Sequence, residues 1–122
     1  MIDQLPELVN SDPLLVRRGR YLSDSFMIEV GMQQYLVHVR NGRIETVRQG
    51  PFVMQCWTFA IRAPGDVWDR FWQKIPEPGY HDIFALLRKA QIVFEGDLRP
   101  MMANLLYIKQ VLAAPRALAN EQ

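Results

Sequence analysis

The chain has few residues of the kinds that form cross-links, metal sites or reactive groups. Cys56 is its only cysteine, and His38 and His81 are its only histidines. One cysteine cannot form an intrachain disulfide, and this composition is typical of a reducing compartment. The apolar neighbours of Cys56 in "VMQCWTF" favour a buried, unreactive thiol. Because the sequence has neither paired cysteines nor clustered histidines, we expect no metal site and no cofactor.

The sequence also lacks an excess of charge of either sign. Its 14 basic and 13 acidic residues give a net charge of +1, so no bulk field attracts nucleic acid or an anionic membrane. The densest basic group is Arg17, Arg18 and Arg20. A solvated helix face explains that group more simply than contact with phosphates does. We therefore expect no nucleic-acid partner.

Long apolar runs are missing as well. No stretch approaches the roughly 20 residues needed to cross a bilayer. The first residues, "MIDQLPELV", do not show the basic segment and apolar run of a signal peptide. These observations predict a cytoplasmic protein without stable membrane insertion.

The chain does have enough apolar material for a core. With 122 residues, 49% of them hydrophobic, it suits one domain and is too short for two ordinary ones. We therefore expect a single domain spanning 1–122. Its first predicted helix has Asp12 as the N-cap and Pro13 in the first turn, followed by "LLVRRGRYL".

A tight hairpin is the strongest local signal in the sequence. Asn41-Gly42 separates "QYLVHVR" from "RIETV", and both turn residues tolerate a positive φ. The predicted pairs are Arg40 with Arg43, Val39 with Ile44, His38 with Glu45, and Val37 with Thr46. The face predicted to point inward carries Tyr35, Val37, Val39 and Ile44. We interpret His38 as the solvated cross-strand partner of Glu45 rather than as a catalytic group.

The other elements follow from periodicity and turn residues. "FMIEV" (26–30) is a strand before the hairpin, and "FVMQCWTFAIRA" (52–63) is a fourth strand after it. One face of that fourth strand carries Val53, Trp57, Phe59 and Ile61, and the other carries Met54, Cys56 and Thr58. Asp66 is the predicted cap of a helix in "DVWDRFWQKI". The wide aromatic face of this helix, predicted to point inward, carries Val67, Trp68, Phe71, Trp72 and Ile75.

A second helix, a strand and a last helix complete the chain. The helix in "HDIFALLRKA" is predicted to turn Ile83, Phe84, Leu86 and Leu87 inward. "QIVFEG" is the fifth strand, and the last helix runs from near Asp97 to before Pro115. The order helix, four strands, two helices, strand, helix predicts an α+β fold. We expect a five-stranded, mostly antiparallel sheet with helices packed on one face.

Reactive constellations are sparse. His81-Asp82 is the only local acid/base pair, and capping of the following helix by Asp82 explains it best. In Glu95-Gly96-Asp97, Gly96 allows a tight bend and Asp97 caps the last helix. The sequence contains neither Gly-x-Ser-x-Gly nor a phosphate-binding glycine loop. We therefore expect that the protein is not an enzyme.

The last helix has more apolar surface than one side requires. Its main row is Leu98, Met101, Leu105, Ile108 and Leu112, and Met102, Leu106 and Tyr107 extend the surface beside that row. An ordinary surface helix needs a single apolar stripe, and methionine adapts to irregular partners. Two explanations stay open: packing in a core or an oligomer, and a cavity for an apolar ligand.

Several segments resemble the sterol carrier protein 2 (sterol-transfer) family. The junction "IVFEGDLRPMMANLLYIKQVL" is similar to the family's strand, Gly-Asp turn and closing helix. "YLVHVRNGRIETVRQG" is similar to its hairpin, and "WTFAIRAPGDVWDRFWQK" to its strand and acidic-capped helix. The resemblance covers about residues 20–113, leaving 114–122 as a tail. The ending "ANEQ" differs from a peroxisomal Ser-Lys-Leu-type signal, which predicts a role outside the peroxisome.

The resemblance implies an apolar tunnel between the sheet and the helices that binds sterols, fatty acids or acyl chains. Carried over by position, the tunnel residues would be Trp57, Phe59, Trp68, Phe84, Leu87, Met101, Leu105 and Ile108. The expected partner is then a lipid-like small molecule. The alternative is a non-catalytic interaction or accessory protein whose surplus apolar surface forms a homodimer or partner interface.

Overall fold

The structure is a computed structural model that describes residues 2–52 and 57–118. Its strands are β1 (Asp24–Val30), β2 (Gln33–Arg40), β3 (Arg43–Gln49), β4 (Phe59–Ala63) and β5 (Val93–Gly96). The α-helices of the described part are α1 (Leu5–Asn10), α2 (Pro13–Arg18), α3 (Gly65–Phe71), α4 (Ile83–Arg88), α5 (Arg99–Ala103) and α6 (Leu105–Ala113). Short 3-10 helices cover Ile2–Gln4 and Ala114–Leu118. The predicted α+β class is confirmed.

The five strands form one sheet in the order β3-β2-β1-β4-β5. Neighbouring strands are antiparallel except for β1 and β4, which run parallel. The sheet is therefore mixed and mostly antiparallel, as predicted. The parallel pair brings together strands that are distant in sequence, whereas hairpin signals report only on neighbouring strands.

The hairpin turn forms as predicted, but the pairing of β2 with β3 shifts by one residue after the first two pairs. Asn41 and Gly42 have φ of 52° and 82°, and the pairs at Arg40 and Val39 are confirmed. A bulge then places His38 opposite Thr46 and Val37 opposite Val47, so the two remaining predicted pairs are wrong. The extra residue has a packing reason: it brings an apolar side chain opposite Val37, where unshifted pairing would have placed a threonine.

The inward face of the hairpin is the predicted one. Val37, Val39 and Ile44 are buried, and Tyr35 packs against the core from a partly buried position. On the opposite face, the Nε2 atom of His38 lies 3.3 Å from Oε1 of Glu45. The predicted cross-strand contact is therefore confirmed even though the backbone register around it differs.

The N-terminal helix α1 was not expected from the sequence. Its Leu5 and Val9 are fully buried. The side-chain amide of Asn10 donates to the carbonyl of Ile44 and accepts from the N–H of Ile44, both at 2.9 Å. These two bonds satisfy backbone groups on the edge strand β3, which would otherwise be open to pairing. Helix α1 therefore covers that edge of the sheet.

Helix caps are partly as predicted. The carboxylate of Asp12 accepts hydrogen bonds from the N–H groups of Leu14 and Leu15, which confirms it as the N-cap of α2. The prediction for Asp66 is wrong: Pro64 holds the N-cap position of α3, and Asp66 lies within the first turn. Proline there fixes an extended φ before the helix, so no side-chain cap is needed to start it.

Two predicted inward side chains are exposed. Helix α3 ends at Phe71, which leaves Ile75 outside the aromatic face and 85% exposed. In α4, Ile83 and Leu86 are buried as predicted, whereas Leu87 is 36% exposed. The prediction for Leu87 is wrong, because α4 is short and its buried stripe is narrower than the sequence pattern indicated.

The predicted last helix is two helices. Asn104, with φ −125° and ψ 38°, separates α5 from α6. Its side-chain amide donates to the carbonyl of Pro100 at 3.0 Å, a local bond that competes with the helical pattern. Leu98 rather than Asp97 holds the N-cap position of α5, although Oδ1 of Asp97 accepts from the N–H of Arg99 at 3.1 Å.

The predicted fourth strand is seen only in part. Phe59–Ala63 form β4, whereas Phe52, Trp57 and Thr58 are described and lie outside any strand, so the predicted strand is wrong at those three positions. Val53, Met54 and Cys56 lie outside the described residues, so the facing of their side chains and the burial of the thiol stay predictions.

The core lies between the sheet and the helices, and indole and phenol groups connect its parts. The Nε1 atom of Trp68 donates to the carbonyl of Glu29 at 2.9 Å, and that of Trp72 donates to the carbonyl of Leu112 at 2.8 Å. The hydroxyl of Tyr107 donates to the carbonyl of Gly42 at 2.6 Å. Each large ring therefore fills core volume while its polar atom is satisfied by backbone.

We expect Tyr107→Phe to destabilise the protein by about 1–2 kcal/mol, because it leaves the buried carbonyl of Gly42 without its donor. Urea denaturation would measure the change in the free energy of unfolding. Tyr21→Phe is the matched control, since Tyr21 is 80% exposed. Equal stability of the two variants would contradict the structural role of this hydrogen bond.

The same tyrosine predicts a pH dependence. Burial raises the pKa of Tyr107 above its usual value. Because the unfolded chain ionises first, from about pH 10, the contribution of Tyr107 to stability is present below that pH and is lost as the pH rises toward the folded-state pKa. We expect the loss of stability between pH 9 and 11 to be smaller in Tyr107→Phe than in the wild type, as measured by denaturation at each pH.

Candidate functional site

The eight residues implied by the family resemblance occupy three environments. Phe59, Trp68, Met101 and Ile108 are fully buried in the core. Phe84 and Leu105 are partly buried and pack against that core. Trp57 is partly buried, with the guanidinium of Arg62 5.9 Å from its ring centroid. Leu87 lies on the surface. Ligand contact by these residues stays a prediction.

An apolar groove lies where α4, β5 and the start of α5 meet. Its volume is about 380 Å³, and it is open to solvent. We call it the apolar groove; its lining is Leu87, Ala90, Ile92, Val93, Phe94 and Leu98. Phe84 lies behind the groove, with its ring edge-on to that of Phe94 at 5.8 Å between centroids. Two of the predicted residues, Phe84 and Leu87, are therefore at this site.

Sequence reasoning missed the contribution of β5 to this groove. The sequence assigned "QIVFEG" to the fifth strand but gave no reason to link its Ile92, Val93 and Phe94 to Leu87. The link depends on α4 packing beside β5, a contact between elements rather than a local pattern. Leu98, assigned from the sequence to the apolar row of the last helix, closes the end of the groove.

A second groove is polar at its rim. It has a volume of about 250 Å³. We call it the cationic groove; its lining is Phe71, His81, Asp82, Ile83, Lys109, Gln110, Ala113 and Arg116. The carboxylate of Asp82 accepts from the N–H of Phe84 at 3.0 Å, which confirms the predicted capping of α4. It also pairs with Nζ of Lys109 on α6 at 3.2 Å.

The ionisation of Asp82 follows from these contacts. Burial alone would raise the pKa of the Asp82 carboxyl, but the N–H of Phe84 and the ammonium of Lys109 outweigh that effect and hold the pKa below its usual value. Asp82 is therefore ionised at neutral pH and connects α4 to α6.

A larger depression of about 580 Å³ lies near Arg62, and ion pairs hold Arg62 and Glu29 of its lining. The guanidinium of Arg62 lies 2.6 Å from Glu29 and 2.9 Å from Glu95, on the strands flanking β4. The hydrogen bond to Glu29 is the main reason that the pKa of Arg62 is raised. These cross-strand pairs are typical of sheet stabilisation.

Two further properties concern the described residues only. Across 2–52 and 57–118, no group of three or more His, Cys, Asp and Glu side chains is arranged to hold a metal ion. In the same part of the chain, no helix is long and apolar enough to cross a membrane.

We expect Asp82→Ala to lower stability by about 1 kcal/mol at neutral pH, because it removes the cap of α4. Since the folded-state pKa is lowered, this contribution is lost as the pH falls from about 4 through that pKa. Thermal denaturation at pH 7 and pH 3 would measure both effects. Asp66→Ala is the matched control, because Asp66 lies in the first turn of α3 and makes no cap. Equal losses in the two variants would contradict the assignment.

Comparisons with known proteins find similarity in structure but not in sequence. No family model matches this sequence, and no curated protein sequence matches it significantly. A crystal structure of sterol carrier protein 2 superposes with a TM-score of 0.76 at 10% identity, covering 94% of this chain and 92% of that one. Sterol carrier protein 2 from Yarrowia lipolytica gives 0.60 at 10% identity, covering 94% and 88%.

A third solved structure, the UbiJ-SCP2 ubiquinone synthesis protein, has a TM-score of 0.58 at 17% identity and covers 97% of this chain and 88% of that one. At such identities the likeness concerns the fold alone. The sheet and the helices around it therefore have the fold of the sterol carrier protein 2 structures, as the sequence resemblance predicted.

Proposed function

We propose that this protein binds a hydrophobic, lipid-like ligand (a sterol, a fatty acid or another acyl chain) between its sheet and its helices. The observation that carries the proposal is the apolar groove, whose lining is entirely hydrophobic. Its volume of about 380 Å³ lies within the usual range of small-molecule sites. The predicted residues Phe84 and Leu87 lie at this groove.

The chemistry of such a groove favours chain burial over polar recognition. Each methylene removed from water contributes about 0.8 kcal/mol, so a long acyl chain binds without directional hydrogen bonds. The ligand contacts at this groove would therefore be tolerant of chain structure. This matches a lining of aliphatic side chains with a single phenylalanine.

We propose that α5 moves to admit the ligand more deeply. Helix α5 has five residues and is separated from α6 by the break at Asn104. It carries Met101, which is fully buried beside the core and whose flexible thioether adapts to a changing partner. Displacement of α5 would open a path from the apolar groove toward Met101 and Ile108, two of the predicted tunnel residues.

The names of the structural neighbours support this class of ligand. Two are sterol carrier proteins, and the third is a ubiquinone synthesis protein; sterols and ubiquinone are both hydrophobic. We propose a binding role without catalysis for this chain, because the apolar groove is lined by no ionisable side chain and an enzyme needs convergent reactive groups.

A second candidate function rests on exposed apolar residues. Met102 and Leu106 are 53% and 64% exposed, and they lie together at a surface depression that also includes Arg18. This surface would suit a homodimer or partner interface. Sedimentation of the wild type and of Leu106→Glu tests it: a dimer that the substitution dissociates would support an interface, and a monomeric wild type would count against self-association.

Charge placed in the apolar groove should prevent lipid binding. We expect Leu87→Glu and Val93→Glu to weaken binding of a fluorescent fatty acid or sterol by at least about tenfold, since the ligand would have to desolvate a carboxylate. Both side chains are already partly exposed, so the fold should tolerate the changes. The matched control is Leu14→Glu on α2, where the leucine is 74% exposed.

Native mass spectrometry of the purified protein complements that titration. We expect the wild type to carry bound mass that disappears on denaturation and is recovered as lipid in an organic extract. Wild-type affinity in both groove variants would contradict the site, and failure of every lipid to bind the wild type would contradict the proposed function.

A further inference from the structure

Arg116 occupies an unusual electrostatic position in the cationic groove. Its Nε atom donates to the carbonyl of Phe71 at 2.7 Å, and Nη2 donates to the carbonyls of Tyr80 and His81 at 3.1 and 2.9 Å. The guanidinium also lies 4.4 Å from the ring centroid of Phe71. All of its hydrogen bonds to described residues therefore end on backbone carbonyls, and none ends on a carboxylate.

Among the described residues, this arrangement leaves a fixed positive charge without a carboxylate partner. Partial burial lowers the pKa of Arg116, as expected when a guanidinium is desolvated without an ion-pair partner, but arginine stays protonated at neutral pH. Within the described chain, Nη1 donates no hydrogen bond to protein. A guanidinium with free donors at the edge of a groove is the preferred protein group for a carboxylate or phosphate.

The neighbouring charges do not cancel that of Arg116. Asp82 is the acidic residue lining the groove, and Lys109 pairs with it. The groove therefore keeps a net positive charge from Arg116, and the imidazole of His81 adds a further possible donor at the rim. Its floor is apolar, formed by Phe71, Ile83 and Ala113. A cationic rim over an apolar floor fits an amphiphile better than a free ion.

Aromatic contacts connect this groove to the apolar groove. Nζ of Lys109 lies 4.9 Å from the ring centroid of Phe84. The ring of Phe84 in turn meets Phe94 edge-on at 5.8 Å, and Phe94 lines the apolar groove. The partly buried rings of Phe84 and Phe94 therefore lie between Lys109 and the apolar groove.

We infer that the cationic groove binds the oxyanion headgroup of a single-chain lipid, a carboxylate or a phosphate, while the chain lies in the apolar groove. This inference rests on the proposed function and narrows its ligand class to anionic amphiphiles. A sterol has no anionic group for Arg116 and would gain nothing from it. Arg116 and Lys109 are the headgroup residues, and Asp82 limits the strength of binding by holding Lys109.

Ligands of equal chain length separate the two parts of the site. Isothermal titration of the wild type would compare dodecanoate, dodecyl phosphate and dodecan-1-ol. We expect both anions to bind about tenfold more tightly than the alcohol, the magnitude of one charge-assisted hydrogen bond. The tighter of the two anions identifies the headgroup. Inorganic phosphate without a chain should bind at least tenfold more weakly than dodecyl phosphate.

Three variants assign the residues. Arg116→Gln should remove the preference for anions, and Arg116→Lys should restore part of it by returning the charge. Asp82→Asn keeps a capping side chain and frees Lys109. It should therefore tighten the binding of dodecanoate severalfold and leave the affinity for dodecanol unchanged. The matched control is Arg48→Gln, on β3 at the far edge of the sheet. It makes the same charge change as Arg116→Gln and should alter the binding of neither ligand.

The outcomes distinguish the inference from the function beneath it. Dodecanol binding that persists in Arg116→Gln shows that this variant is folded and that the apolar groove works. If dodecanol binds and the anions bind no more tightly, or if Arg116→Gln keeps the anion preference, the headgroup site is wrong and the proposed function stands. If no ligand that carries a chain binds the wild type, the inference is overturned, and if sterols also fail to bind, the proposed function is overturned with it.

Discussion

The contact of Tyr107 with two glycines is the constraint on which the arrangement of the rest depends. The tyrosine ring is buried against Gly19, where a β-carbon would lie 2.5 Å from the ring. At Gly42 a β-carbon would lie 2.3 Å from the carbonyl oxygen of Val16. Helix α6, the end of α2 and the hairpin turn therefore meet at one point with no room for side chains. The end of α2 and the hairpin turn are both fixed at this point, so the start of α6 is held beside them.

Much of the fold could be predicted from local signals, because their partners lie within a few residues. The caps at Asp12 and Asp82 and the turn at Asn41-Gly42 are of this kind. Two features that the local signals did not indicate depend on distant partners. The edge of β3 binds Asn10, 34 residues before Ile44, and the parallel pairing of β1 with β4 follows from the whole sheet. No local pattern contains that information.

The candidate site shows the same division. Of the eight residues that the resemblance implied, Leu87 lines the apolar groove and Phe84 contacts Phe94 of its lining; their contact with a ligand stays a prediction. The resemblance did not identify the residues of β5 or Arg116, since their position depends on how α4 packs between β5 and α6. Arg116 in particular was assigned from the sequence to a tail, whereas its guanidinium donates to the carbonyl of Phe71 at the end of α3 and to those of Tyr80 and His81 before α4.

The break at Asn104 has a consequence for how the molecule opens. A continuous helix unfolds cooperatively, so its amides would share one protection against hydrogen exchange. The break instead makes α5 a separate unit of five residues, bounded by Pro100 at its start and Asn104 at its end. Its amides should exchange through local opening at a small fraction of the global unfolding free energy, while those of α6 report global unfolding. Local opening of this kind would be confined to one turn of helix beside the apolar groove.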